Sequence, residues 1–533
     1  MNWPTHAFVR MFVICLTVFL GQTITCAEKE ITCDPNIVII LADDLGYGDV
    51  ACYNPTHGKI QTPHLDQFAS QGMRFTDAHS SSAVCSPSRY SLLTGRYHWR
   101  TWLQSGIVNK FGPPLIAPDR VTLADLLRER GYRTACIGKW HIGWYWPIPR
   151  GRDREFLADP RNTSNPPNES TQELWREVFS QRIGGGPLDC GFDSFFGVDL
   201  PNFPPFCYID GDRTVGIPSE VLPAELMTNN LADFSRPAVR NWRLAPILPE
   251  IGDRACQFIR ESAAQPKPFF LYLPITAPHT PLAVNQEWQG KSGLNAYADF
   301  VMETDALIGR VLRALDEAKV TNDTFVLISS DNGCAPYVGI EELASKGHYP
   351  NWPYRGFKTD IWEGGHRVPF MVRWPMSVKA GTTCNALVQQ MDTVATVAEL
   401  LNVTLPPNVG EDSISYLPLL LGSKPATRST SVNQSIHGLF AVRQGPWKLI
   451  LGPGSGGWAK GSDEKSQQLY QVDEDPTEEH NLFGEHPELE TQLTHLMETI
   501  VTDGRSTSGP AQQNDVPVNW RKFIDAIDQP AKN

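Results

Sequence analysis

Hydrophobic positions fall along this chain in two alternating rhythms. Asn36-Ile-Val-Ile-Ile-Leu-Ala42, Phe269-Phe-Leu-Tyr-Leu273 and Thr324-Phe-Val-Leu-Ile328 are continuous apolar runs of strand length, the pattern of strands covered on both faces of a parallel sheet. Arg133-Thr-Ala-Cys-Ile137 is a shorter run of the same kind, and Val368–Trp374 follows a glycine-rich loop. Between these runs the period becomes helical. Thr62-Pro63 opens a helix with Leu65, Phe68, Ala69 and Met73 inward and Gly72 near its end. Thr122 opens another, with Leu123, Leu126 and Leu127 inward and Gly131 after it. Residues 297–319 place Val301, Thr304, Leu307, Ile308, Val311, Leu312 and Leu315 on one face, and a further helix lies around Asp392–Leu401. Residues 145–235, rich in Pro, Asn, Gly and Asp, read as a long excursion with little regular structure. Loops of that length usually serve a function, and we take this one as the builder of a substrate pocket.

Composition shifts at Gly422–Thr430. Strand-like pieces follow at Gly438–Arg443, Trp447–Leu451 and Gln468–Val472, then a helix near Pro487–Val501. The pattern predicts a doubly wound α/β core over residues 34–428, a large and mostly parallel sheet sandwiched by helices. A smaller C-terminal α+β unit with an antiparallel sheet follows over residues 429–525.

The formal net charge of −13, with no long basic run, argues against nucleic acid as a partner. Any anion this acidic chain handles must meet positive charge concentrated locally. Arg10, the apolar run Met11–Leu20 and the small residues near Thr25-Cys26-Ala27 read as a signal peptide over residues 1–27, implying an extracellular or periplasmic protein. That run is too short to span a bilayer comfortably, and no longer one follows, so no stable membrane anchor is expected. Of eleven cysteines, Cys15 and Cys26 leave with the signal. If Cys85 is catalytic, the other eight form an even set compatible with disulfides after export. Asn-x-Ser/Thr sites occur at Asn162, Asn168, Asn322, Asn402 and Asn433.

The densest chemistry lies in Cys85-Ser-Pro-Ser-Arg-Tyr-Ser-Leu-Leu-Thr-Gly-Arg96. Ser86 suits an N-cap, Pro87 a first helical position and Gly95 a stop, so Cys85 is expected just ahead of a short helix. That is an anion-binding position, and Arg89 one turn on adds planar cationic donors. A buried or disulfide-bonded cysteine before an ordinary helix is the competing reading. Polar residues cluster just after the strands: Asp43 and Asp44, Lys139 and His141, His279, and Asp331 with Asn332. In open parallel sheets, ligands bind outside the carboxyl ends of the strands. Three carboxylates and an amide in one cleft would repel one another without a hard divalent cation, Ca²⁺ or less readily Mg²⁺. Taken singly, such aspartates are turn or cap residues more often than ligands. Arg355–Lys358 and Glu363–Pro369 form a charged, glycine-rich loop carrying one more lysine.

The string Cys85-x-Pro87-Ser88-Arg89, continued by Leu93-Thr94-Gly95-Arg96, resembles the signature of type I, formylglycine-dependent sulfatases, arylsulfatase-like members of the alkaline-phosphatase superfamily. The similarity runs from about residue 36 to 375, and more faintly through Trp447–Ile450 and Asp475-Pro476. The resemblance implies that a formylglycine-generating system oxidises Cys85 to an aldehyde whose hydrate attacks sulfur. It implies Asp43, Asp44, Asp331 and Asn332 as calcium ligands, with residue 85 completing the shell. Arg89 would hold the hydrate, Lys139 and His141 would bind sulfate and hydrate, and His279 with Lys358 would meet the bridging oxygen of the ester. His279 would then protonate the departing alcohol and His141 take the proton of the second hydroxyl. Export and an aromatic-rich chain favour a sulfated carbohydrate over a small aryl sulfate as substrate. Two alternatives are a phosphodiester or phosphonate hydrolase of the same superfamily and a non-catalytic binder of sulfated glycans that keeps Cys85 as a thiol.

Overall fold

The computed structural model describes residue 1 and residues 34–156, 167–227, 230–461 and 465–528. The expected signal peptide and the Asn162 sequon lie outside the described residues. The described residues from Pro35 onward form one compact unit. Its main sheet is built from β1 (Asn36–Asp43), β2 (Met73–Phe75), β3 (Arg133–Lys139), β4 (Ser194–Val198), β5 (Ile209–Asp210), β6 (Arg213–Thr214), β7 (Phe269–Pro278), β8 (Thr324–Ser330), β9 (Phe370–Arg373) and β10 (Thr382–Cys384). Their spatial order is β10-β2-β9-β8-β1-β7-β3-β4-β5-β6. The five central strands β8, β1, β7, β3 and β4 are parallel, β9 runs antiparallel to β8, and the β5–β6 hairpin closes the far edge.

The continuous apolar runs are the central strands because both faces are covered: every residue of β7 and all of β1 after Asn36 is buried. Val38 and Ile40 share a core with Ile251, Ala255 and Ile259 of the helix Ile247–Ala263 and with Val301, Ile308 and Val311 of the helix Ala296–Glu317. All seven apolar-face residues expected on the latter helix are buried. No helix among the described residues is long and apolar enough to cross a membrane.

Several expectations change. The helix begun at Pro63 ends at Gln71, and Met73 belongs to β2, paired with Val372; sheet pairing overrides a helical spacing that happened to continue. Residues 145–235 are more regular than composition implied. They contain a helix at Glu169–Phe179, which buries Leu174, Trp175, Val178 and Phe179, and they supply β4, β5 and β6 to the sheet. Of the even cysteine set, Cys33 lies outside the described residues, and the other seven, like Cys85, are free thiols, so the even count does not mark disulfides among the described residues. Asn433 is buried and donates through Nδ2 to Ser80 O at 2.7 Å, which closes that sequon to a glycan.

Past Gly422 a second, antiparallel sheet runs β11 (Thr430–Gln434), β12 (Phe440–Gln444), β13 (Trp447–Ile450), β14 (Gln468–Gln471), covered by the helix Pro487–Thr502. Its core takes in Tyr97 and Trp99, residues just beyond the Cys85 helix, beside Val442, Leu449, Leu493 and Met497. Buried ion pairs tie the two sheets. Arg443 meets Asp77 at 2.8 Å, and Lys448 meets Glu363 and Glu478 at 2.9 and 2.8 Å.

Candidate active site

The Cys85 helix spans Cys85–Thr94 with Val84, not Ser86, at the N-cap, so Cys85 is the first helical residue and Pro87 the third. Ser86 is used otherwise: its Oγ accepts from Val108 N at 3.1 Å, pinning the following loop. Gly95 ends the helix with φ +66°, and a Cβ there would lie 2.8 Å from Gly410 Cα, so only glycine fits. All ten helix residues are buried, and the chain before them is fastened on two sides: Ala83 N donates to Gln434 O and Thr359 N to Ala83 O.

Two strand ends and one loop deliver their polar residues through strained backbone. Asp44 after β1 and His141 after β3 have φ of +63° and +53°, and Thr359, beside Lys358, has φ +83°. A β-branched residue in that region is rare, and such strain is tolerated where the surrounding structure over-determines it. At Asp44, Asp331 Oδ1 accepts the backbone N–H at 3.2 Å and Tyr297 donates to its carbonyl.

The result is a buried floor of paired charges. Lys139 Nζ lies 2.6 Å from Asp43 Oδ2. Arg89 donates from Nε and Nη2 to Asp331 Oδ2 at 3.0 and 2.8 Å and from Nη1 to Lys139 O at 2.9 Å, with Asp43 at 3.5 Å. Lys358 Nζ is 2.8 Å from Asp44, and Asn332 Nδ2 donates to Asp44 Oδ1 at 2.7 Å. Burial raises the Asp43 carboxyl, but Lys139, His279, Arg89 and Lys358 outweigh it and hold Asp43 far below the ordinary carboxylate range. Asp331 moves the other way, since burial and then the neighbouring Asp43 charge push it up to about 7.

This floor fits a hard divalent cation. Asp43 Oδ1 and Asn332 Oδ1 are buried oxygens without a hydrogen-bond partner, an arrangement that costs free energy unless something takes the lone pairs. Single donor atoms of Asp43, Cys85 and Asp331, and likewise of Asp43, Asp44 and His279, lie within 4.8 Å of one another. Oxygen donors of this kind suit Ca²⁺ or Mg²⁺.

Four of the anticipated residues, Cys85, His141, His279 and Lys358, line a cavity of about 840 Å³. Arg89, Lys139 and the four oxygen donors lie behind it. Burial pushes the Cys85 thiol up against the opposing pull of Lys139 and Lys358, so the unmodified side chain is a neutral and weak nucleophile. His141 Nε2 donates to Val108 O at 3.0 Å, which leaves Nδ1 as the free lone pair, buried and unpartnered. Burial and the Lys139 and Arg89 charges keep that ring well below its ordinary value, hence neutral. His279 has the opposite tautomer. Its Nδ1 donates to Thr280 O at 2.5 Å and its Nε2 stands 3.6 Å from Asp44. Burial, then Lys358, bring His279 down to about 4. Lys358 keeps its proton: burial works against the charge, but Asp44 and further neighbours hold it well above the ordinary lysine value.

The remaining wall was not individually legible in the sequence. It includes Leu200, Asn202, Phe203, Asp233 and Phe234 from the central excursion, with Tyr337 and Trp458 among others. The excursion therefore does supply pocket residues, although only tertiary folding selects which.

A twisted parallel sheet whose strand ends converge on cations, buried carboxylates and a helix-initial cysteine defines an α/β protein that handles tetrahedral anions. The chain belongs to the sulfatase family, and it is a sulfuric ester hydrolase with an alkaline-phosphatase-like fold. The sulfatase model matches residues 35–403, and that of the N-sulphoglucosamine sulphohydrolase C-terminal region matches residues 357–503. Among curated relatives, the N-acetylgalactosamine-6-O-sulfatase of Bacteroides thetaiotaomicron is 34% identical, covering 88% of this chain and 93% of its own. Human arylsulfatase A is 31% identical and covers 90% of each chain. A solved structure from work on glycosaminoglycan metabolism by Bacteroides thetaiotaomicron superposes with a TM-score of 0.75 at 30% identity, covering 88% of this chain and 99% of that one.

Proposed function

We propose that this enzyme is exported and hydrolyses sulfate monoesters of carbohydrates, using a formylglycine made from Cys85 by a dedicated generating system and a bound Ca²⁺. The observation that carries the reading is the convergence of residue 85, Lys358, His279 and His141 on one cavity, backed by three carboxylates and two further cations. The catalytic domain would comprise residues 34–428 and a C-terminal subdomain residues 429–525.

Asp43, Asp44, Asp331 and Asn332 would hold the ion, with residue 85 as a further ligand; when bound, it supplies Lewis-acid stabilisation of negative oxygen. As an aldehyde hydrate, residue 85 offers one hydroxyl to displace the alcohol at sulfur and a second to release sulfate afterwards. A buried neutral thiol offers neither.

The chain's own residues do the rest. Arg89 and Lys139, fixed by Asp331 and Asp43, are an immobile source of positive field beneath the sulfate, which costs no reorganisation as charge spreads in the transition state. Lys358 presents a permanent ammonium to the bridging oxygen. His279 Nε2 is a donor only as imidazolium, and the negative charge of the arriving sulfate raises its proton affinity. His141 Nδ1 is an acceptor by tautomer, suited to take a hydroxyl proton from residue 85.

The sugar assignment draws on the N-acetylgalactosamine-6-O-sulfatase relative and on a wall that mixes Trp458, Tyr337 and Phe203 with Asn202 and Asp233. Turnover on a panel of defined sulfated saccharides, with an aryl sulfate and an aryl phosphate as controls, tests it. Equal or better turnover of the phosphate would overturn the sulfohydrolase reading in favour of a phosphoester hydrolase. Peptide mass spectrometry reads the modification: formylglycine has lost H₂S and gained oxygen, whereas an intact thiol in protein from its native host supports a glycan binder instead.

A further inference from the structure

Two loop segments of the central excursion meet on the cavity wall. Asp233 N donates to Asn202 O at 2.9 Å, and Asn202 Nδ2 donates in turn to the Asp233 carboxylate. That orientation leaves Asn202 Oδ1 buried without a hydrogen-bond partner, while Asp233 itself is exposed. Both residues line the cavity that Cys85, His279 and Lys358 line. Although the residue as a whole is exposed, partial desolvation of the Asp233 carboxyl pushes it up, and Asn202, Lys358 and Lys110 pull it back, so the sulfate-site lysine and Asp233 feel each other's charge. Lys110 sits against the neighbouring ring, its ammonium 3.9 Å from the centre of Phe234, and so feels Asp233 as well.

We propose that Asp233, held in place by Asn202, sets substrate specificity by accepting hydrogen bonds from hydroxyl or amide N–H groups of the sulfated sugar and by disfavouring sugars with a second anionic group beside the scissile sulfate. The proposal rests on the sulfate-monoester reading above and narrows its substrate class to singly sulfated, otherwise uncharged sugar units. An ionised carboxylate only accepts hydrogen bonds, and its bonds are of the short, charge-assisted kind. A hydroxyl or N–H is therefore welcome where a second sulfate or a carboxylate meets like charge. At the few-ångström separation of neighbouring ring substituents, that repulsion corresponds to about tenfold to hundredfold in selectivity.

The test compares kcat and KM of wild type, D233N and D233A on two substrates. One is the monosulfated glycoside that the enzyme turns over best, and the other is the same glycoside with a second sulfate on the adjacent carbon. Wild type should prefer the monosulfate by at least about tenfold in kcat/KM. D233N should shrink that ratio about fivefold or more, chiefly through a lower KM for the disulfate, with KM for the monosulfate rising. A wild-type ratio near one, or equal losses on both substrates in both variants, would overturn the specificity role while leaving the sulfohydrolase reading intact. No sulfate release by wild type from any substrate would sink that reading and this proposal together.

Discussion

Replacing Arg89 by Met separates the two jobs given to the buried floor. The guanidinium is fully buried and lies 2.8 Å from Asp331 and 3.5 Å from Asp43. With both carboxylates ionised, at an effective dielectric of about 20 these contacts correspond to about 6 and 5 kcal/mol of attraction before desolvation is charged against them. Most of that is offset by the cost of burying the ions, so the net loss on truncation is about 3–5 kcal/mol, the usual result of leaving a buried charge uncompensated. A divalent ion, held by the same carboxylates as proposed, would replace the missing positive charge. The melting temperature of R89M should therefore fall steeply in chelator and recover much of the loss in millimolar Ca²⁺, while wild type gains less. Turnover should not recover: losing one fixed positive group at the developing charge costs about a hundredfold to a thousandfold in kcat. Thermal unfolding with and without Ca²⁺, alongside kcat on a sulfate ester, decides it. An equal drop in melting temperature under both conditions, or kcat within tenfold of wild type, would refute the reasoning.

C85S should fold like wild type, because serine nearly matches the buried thiol in size, yet complete no turnovers. Peptide mass spectrometry after incubation with substrate should find sulfate retained on residue 85, and multiple turnovers by this variant would remove the need for an aldehyde. Burial, against the hydrogen bond that His98 Nε2 donates to Gln434 Oε1, brings His98 down to about 4, below its ordinary 6.5. Between those values the unfolded chain binds the extra proton, so stability falls as pH drops from about 6.5 to 4, by about 3 kcal/mol for this group. The melting temperature of H98Q should be flatter across that window than that of wild type; parallel curves would dismiss the contribution. K448M should cost about 3–5 kcal/mol by stranding Glu363 and Glu478, seen as one earlier cooperative transition. Two separate transitions would show that the C-terminal sheet is energetically independent.

What could be read in the sequence, and what could not, divides along the range of the interaction. The apolar runs of β1, β7 and β8 announced themselves because burial on both faces is written into consecutive residues. The polar residues at their ends followed from topology alone. Met73 was misplaced because its strand pairing with Val372 lies 299 residues away in sequence (372 − 73). Ser86 looked like a cap and became a tether for Val108, a choice no local pattern records. Gly138 marks the opposite case. A Cβ there would lie 2.0 Å from Pro274 O, so a glycine just before Lys139 is the visible trace of two backbones in close approach. Asp233 and Asn202 left no trace, since their pairing joins two irregular segments.

The enclosure of residues 85–94 has a bearing on the order of events in biosynthesis. Ala83, two residues before the reactive position, and Thr359, which donates to Ala83, are themselves held by Gln434 and Ile436, and those two residues leave the ribosome only after four-fifths of the chain has been made. An oxidising enzyme of the kind proposed for Cys85, if it must grip the cysteine in open chain, would have to work on a nascent polypeptide. Once the last strands zip into place, a thiol that was passed over would be sealed in and stay a thiol.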